Sequence, residues 1–245
     1  MRRHANKARD LRVNHALSRL PDKTDIRWFR QKLSSWFQYN RRDFPWRHSS
    51  DPYIICISEI LLQQTTARKV ADILGVFTAK FPDWNTLAKA IPEEIERVIF
   101  PLGIYKRRAQ TIHSLANTVV VLDSLPHTRS GLENLPGIGQ YIANVLLVVL
   151  QGKHMPFLDV NMARVFERFF GSREFADIRY DPYLQTLARK VVNVSDPLSA
   201  NWMIIDFAAI ICSKRKPRCL ACPLSENCSY TQKMAQDILL DSAPK

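Results

Sequence analysis

The sequence predicts an all-α protein. Apolar residues recur every three or four positions through most of the chain after residue 24. The breaks between these stretches carry Pro or Gly, as at Pro82, Pro92, Pro101-Leu102-Gly103, Pro126 and Pro136-Gly137. No pair of alternating segments flanks an Asn-Gly or Asp-Gly turn, and the β-branched run Thr118–Val121 is short.

Taken in order, Trp28, Phe29, Leu33, Trp36 and Phe37 place a first amphipathic helix. Pro45 and Pro52 read as interruptions. Ile57, Ile60 and Leu61 then predict a helix running to about Leu74, with Glu59 and Gln63 four apart on one face. Shorter helical pieces follow at Asp72–Phe81, Trp84–Ala90, Pro92–Ile99, Arg107–Val121 and Leu132–Leu135. Another starts near Gln140, and one after Asp159 carries Met162, Val165, Phe166 and Phe169 on one face. Such short helices joined by short loops suit a helical bundle.

Composition limits the function. The 245 residues are 46% hydrophobic and 24% charged, with 7 Gly and 14 Pro, which excludes a fibrous, low-complexity or wholly disordered chain. The length suits one large domain or two smaller interleaved ones. A net charge of +12 favours a polyanionic partner, nucleic acid first. Residues 1–42 hold twelve Lys or Arg against three Asp, so this stretch reads either as a phosphate-touching arm or as a solvated leader. The longest apolar runs, Val145–Leu150 and Phe207–Cys212, are six residues each, too short for a membrane span. No apolar stretch follows Arg2, Arg3, Lys7 and Arg9, so no secretory leader is expected. The expected location is cytoplasmic or nucleoid-associated, where five cysteines would not pair as disulfides.

Four features carry chemistry. Cys212, Cys219, Cys222 and Cys228 follow the spacing C-x6-C-x2-C-x5-C, which calls for a metal. Zinc and iron–sulfur clusters both accept four thiolates. Zinc sites usually pair two C-x2-C knuckles, and the unequal gaps here wrap a cubane, [4Fe-4S], more naturally. Lys214, Arg215, Lys216 and Arg218 lie within that loop, where a pinned cationic backbone would grip phosphates. Cys56 stands outside the set and reads as a small buried residue.

Leu135-Pro136-Gly137-Ile138-Gly139 predicts a tight turn leading into a helix at Gln140. Two glycines permit positive φ, and the amides of such a turn hold phosphates. Asp159, in Phe157-Leu158-Asp159-Val160-Asn161, is placed either to cap the following helix or to act as a catalytic carboxylate, and the two are compatible. Glu59, within Ser58-Glu59-Ile60-Leu61-Leu62-Gln63-Gln64-Thr65, reads by itself as ordinary helix surface.

Together these features resemble the helix–hairpin–helix DNA glycosylase superfamily with an iron–sulfur cluster. The resemblance runs from about Ile26 to Tyr230, and its motifs are collinear: Arg42–Arg47, Ser58-Glu59 with Leu62–Thr65, Leu135–Gly139, Leu158–Asn161 and the four cysteines. The bifunctional endonuclease III branch has a Lys nucleophile two residues past the second hairpin Gly, where this chain has Tyr141. The adenine glycosylase branch (MutY) shares Glu59 and Gln63-Gln64-Thr65. It usually has Ser at position 141 and Tyr-Tyr where Ile104-Tyr105 stands, and most members carry a further C-terminal domain. The thymine and uracil mismatch branch resembles the chain in Tyr141, Arg41–His48, Thr65-Thr66-Ala67 and the short C-terminus.

The resemblance implies two lobes with a DNA groove between them. A six-helix barrel would span 46–155. An iron–sulfur lobe would join 25–45 to 156–231, with a basic extension over 1–24 and a tail over 232–245. It implies a monomer acting on double-stranded DNA with a mismatched base, the nucleotide being flipped out of the stack. Asp159 would stabilise the oxocarbenium-like sugar, Glu59 would activate water or protonate the departing base, and Tyr141 would shape the base pocket. Gln63 would fill the vacated space, and Gln64 would contact the DNA. Gly137, Gly139, Gln140, Lys214, Arg215 and Lys216 would meet the DNA, and the [4Fe-4S] cluster would be structural. The favoured reading is removal of T or U opposite G without a lyase step. An adenine glycosylase acting opposite G or 8-oxoguanine and a non-catalytic mismatch-binding module are the alternatives.

Overall fold

The computed structural model describes residues 2–241, with side chains for 10–237. The helices in chain order are α1 (Arg2–Ser18), α2 (Lys23–Asn40), α3 (Pro52–Leu62), α4 (Ala67–Lys80), α5 (Trp84–Lys89), α6 (Pro92–Ile99), α7 (Tyr105–Leu122), α8 (Arg129–Glu133), α9 (Gln140–Gln151), α10 (Val160–Phe170), α11 (Pro182–Val192), α12 (Pro197–Ile210) and α13 (Ser229–Asp241). Among the described residues there is no strand. Thr118–Val121 forms the last turn of α7, which stops where Asp123 turns left-handed at φ 63°.

Aspartate starts six of these helices. Asp22, Asp51, Asp83, Asp159, Asp181 and Asp196 each accept a backbone N–H from the first turn of α2, α3, α5, α10, α11 and α12. In α3, α11 and α12 the cap is followed by Pro, whose missing N–H costs nothing at the first helical position. Pro52 therefore opens a helix, where the sequence reading had it as a break. The predicted helix from Ile57 to Leu74 is in fact two. Gln63 caps the end of α3, Gln64 is left-handed at φ 55°, and Thr66 restarts the chain by accepting the Lys69 N–H at 3.5 Å. Glu59 and Gln63 consequently share no helical face.

The chain divides into two compact units, residues 43–153 and residues 1–42 with 154–245. In the first, α3 buries Ile55, Cys56, Ile57, Ile60 and Leu61 against α9, α4 and α7. Helices α5 and α6 lie on α7, with Leu87, Ile95, Ile99, Ile112 and Leu115 fully buried. Each such aliphatic side chain contributes about 1.5–3 kcal/mol by leaving water.

In the second unit α2 packs on α12, Trp36 meeting Phe207 edge-on at 5.5 Å between ring centres. Phe29 sits among Phe166, Phe169 and Phe170. Arg42 closes the end of α2 on the fully buried Asp206, Nε to Oδ1 at 2.6 Å. The end of α1 lies on α11, with Ala16 buried and Arg19 donating to the Ser172 carbonyl at 3.0 Å, while most of residues 10–20 are exposed. No helix among the described residues is long and apolar enough to cross a membrane.

Candidate active site

In the 43–153 unit, α8 begins at Thr128, whose hydroxyl accepts the Gly131 N–H at 3.2 Å. The chain then folds over, with Leu135 and Ile138 buried as anchors. Gly137 is irreplaceable on two counts: its φ is +77°, and a Cβ there would lie 2.4 Å from Thr111 Cγ2. Gly139 differs from expectation. Its backbone is extended, φ −97° and ψ −176°, and it caps α9, so positive φ is not its reason. Nothing lies within 4 Å of where its Cβ would be, which leaves the start of α9 accessible to another molecule. Amides of the first turn of α9, including those of Gln140 and Tyr141, are donors no helix satisfies internally. The Gln140 and Tyr141 side chains are half-buried.

Glu59 occupies the third turn of α3 and is only 8% exposed, with Oε2 shielded from solvent. That departs from the surface position that periodicity implied. Its neighbour one turn back, Cys56, is fully buried, and burial with the Glu59 carboxylate pushes the thiol pKa up. Gln63 and Gln64 are exposed in the α3–α4 turn, where the Gln63 Nε2 donates to the Gly137 carbonyl at 3.3 Å. The glutamine turn and the hairpin turn therefore touch.

In the other unit Asp159 is the cap of α10. Its Oδ1 accepts the amides of Asn161 at 2.9 Å and Met162 at 2.7 Å, and its Oδ2 accepts Asn161 Nδ2 at 2.5 Å. Asn161 Oδ1 in turn accepts Arg164 Nη1 at 3.0 Å. Arg164 also donates to the Ala208 carbonyl at 3.0 Å and the Cys212 carbonyl at 2.9 Å. A continuous chain of hydrogen bonds thus joins Asp159 to the start of the cysteine loop. Periodicity put Asn161 and Arg164 on α10 and offered nothing about these partners.

Cys212, Cys219, Cys222 and Cys228 line one cavity with apolar walls from Val165, Phe207 and Leu224. Burial pushes the Cys222 thiol up to about 11, and the other three cysteines reinforce the shift. Arg168 reaches this loop from α10, Nη1 lying 3.4 Å from Cys212 Sγ and 2.8 Å from the Ser213 carbonyl. Its Nη2 donates to the Lys214 carbonyl at 3.0 Å, and the guanidinium stacks 4.8 Å above Tyr230. The loop backbone is pinned while Lys214, Arg215 and Lys216 are exposed. Among the described residues no group of three or more His, Cys, Asp or Glu is set to hold a single metal ion. The all-sulfur donor set, its shared apolar cavity and the adjoining cation fit an anionic thiolate-bound cluster.

Residues 57–190 match the family model described as the HhH-GPD superfamily base excision DNA repair protein. The chain belongs to that superfamily. It is 36% identical over 216 residues to the thymine-DNA glycosylase of Aeropyrum pernix, covering 85% of this chain and 96% of that one. A solved thermostable thymine-DNA glycosylase superposes with a TM-score of 0.80 at 34% identity, covering 86% of this chain and 98% of its own. Human adenine DNA glycosylase is 29% identical over 233 residues, which is 90% of this chain and 42% of that protein.

Proposed function

We propose that the protein is a monofunctional DNA glycosylase that removes T or U mispaired with G from double-stranded DNA. The observation that carries this reading is Tyr141 in the first turn of α9, directly after the hairpin turn. A lyase of this fold needs an amine to form a Schiff base with the sugar, and a phenol cannot supply one. Nearly full-length similarity to thymine-DNA glycosylases supports the choice of base.

The glycosidic bond of a stacked nucleotide is shielded, so the base must be extruded, and a mispaired base is cheaper to extrude. Opening of the bond leaves positive charge on the deoxyribose. Asp159, held by three donors, supplies the opposing negative charge. Glu59 supplies a proton to the departing base or takes one from the attacking water, whose oxygen bonds to the sugar carbon as the base leaves. The Tyr141 ring narrows the pocket to a pyrimidine, and its hydroxyl hydrogen-bonds a ring carbonyl. Gln63 fills the space left in the stack, and Gln64 contacts the DNA. Amides of Gly137, Gly139 and Gln140, with Lys214, Arg215 and Lys216, hold the backbone phosphates.

Cys212, Cys219, Cys222 and Cys228 would hold a [4Fe-4S] cluster. When bound, the group supplies a rigid core for the loop and no step of the hydrolysis. The protein acts as an intracellular monomer. Duplexes carrying G·T, G·U and A·8-oxoguanine, run with and without alkali, test the reading. Release of T and U, with strand breaks appearing only after alkali, is expected. Preferred loss of the adenine assigns the chain to the adenine branch, whose Gln63-Gln64-Thr65 pattern this chain shares. Binding without release of any base overturns catalysis.

A further inference from the structure

Arg108 is the one arginine within 43–153 that is buried, at 6% exposure, and no step above uses it. It lies one turn into α7. Its Nη1 donates to the Gly103 carbonyl at 2.7 Å, and its Nη2 donates to the Gln63 carbonyl. These acceptors belong to two turns separated by forty residues of chain. Both turns are strained: Gln64 has φ 55°, and Gly103 and Ile104 have φ 73° and 51°. Left-handed backbone costs a residue with a side chain about 1–2 kcal/mol, and for β-branched Ile104 it is exceptional. Such conformations persist only where the surroundings over-determine them. A buried guanidinium with its two nitrogens at fixed separation is suited to that task.

The side chain of Gln63 is held differently from its backbone. Its carbonyl is fixed by a buried cation, while its amide rests, exposed, on the Gly137 carbonyl at 3.3 Å. The second bond is weak and solvent can replace it; the first cannot be broken without leaving a buried charge without its acceptor. We infer that Arg108 is a positioning residue for nucleotide flipping, clamping the Gln63–Gln64 and Gly103–Ile104 turns so that the Gln63 side chain swings into the duplex from a backbone that stays still. This rests on the reading of the protein as a base-flipping glycosylase.

The experiment uses the full chain and a duplex with a G·T mismatch and 2-aminopurine beside the mispaired T. Its fluorescence rises when the stack opens. Arg108→Lys keeps the charge and loses the fork. It is expected to bind matched duplex with unchanged affinity and salt dependence, to lose most of the fluorescence rise, and to release base about tenfold more slowly or worse in single turnover. Adding Gln63→Ala should then cost little more, because both changes disable one motion. A folded Arg108→Lys protein with the full fluorescence rise overturns the inference. Where Arg108→Lys does not fold, Gly103→Ala makes the same test, since its Cβ meets nothing within 4 Å and only the φ of +73° is strained. An undiminished rise in that variant equally overturns the clamp. Wild-type protein that opens the mismatch without releasing a base defeats the glycosylase reading and leaves the clamp standing.

Discussion

Glu59 and Asp159 are two carboxylates assigned to one reaction, yet their surroundings have little in common. Asp159 is partly exposed and does for α10 what Asp22, Asp83 and Asp196 do for their own helices. Its residue type is explained by capping before any chemistry is considered. Glu59 caps nothing. It sits at 8% exposure in a helix otherwise buried through Ile55, Ile57, Ile60 and Leu61. Removing a carboxylate from water is unfavourable unless the group is paired or hydrogen-bonded in the folded chain. A residue with a structural duty hides its chemistry behind that duty, whereas a carboxylate buried in an apolar helix stands out by its desolvation.

Variants that preserve shape and delete charge make the largest contrast. Asp159→Asn and Glu59→Gln should each slow base release by about 10²-fold or more while mismatch binding persists in gel shift. A loss below about tenfold for Asp159→Asn would reduce that residue to its cap. Cys219→Ser should next separate the two units. Iron content and the brown colour should fall, and amide exchange should quicken around α10, which Arg164 and Arg168 tie to the loop, while α3 and α9 stay protected. Equal exchange throughout, or stoichiometric zinc in the wild type, would refute a cluster confined to one unit.

Stability reads the contrast in reverse. Asp159→Ala should cost about 1 kcal/mol by urea unfolding, the worth of a cap, and Asp159→Asn much less, because Asn caps well. Glu59→Gln should unfold within about 1 kcal/mol of the wild type, since it keeps the shape and a hydrogen-bonding head group. Tyr141→Lys should add faint strand cleavage trapped by borohydride, and none at all would show that position 141 does not reach the sugar. The smallest effect belongs to the exposed cations. Lys216→Gln should lower the salt slope of duplex binding by about one without altering base preference.

Much of this was legible in the chain because its causes are local. Helix periodicity, the Asp159 cap, Gly137 before a helix start and the spacing of four cysteines each depend on residues within a few turns of one another. Family likeness, read from those same motifs, is the source of the proposed chemistry. Periodicity failed where a local rule was met twice. The apolar pattern continues through Leu62 to Leu74, but Thr66 is also a good cap, and a left-handed Gln64 lets the chain use it.

Tertiary structure alone decided the rest. Burial of Glu59 depends on what packs over α3, since its own helix offers it no less to solvent than any other surface position would be offered. Arg108 reads in sequence as one cation of Lys106-Arg107-Arg108, and only folding brings it to a carbonyl forty-five residues away. Arg164 and Arg168 likewise meet the α12 carbonyls and the cysteine loop only in the folded chain. A sequence displays spacing, which fixes what one helix can do with itself. Desolvation and the pairing of distant backbone groups are properties of the assembled chain, and these single out the buried acid and the buried arginine.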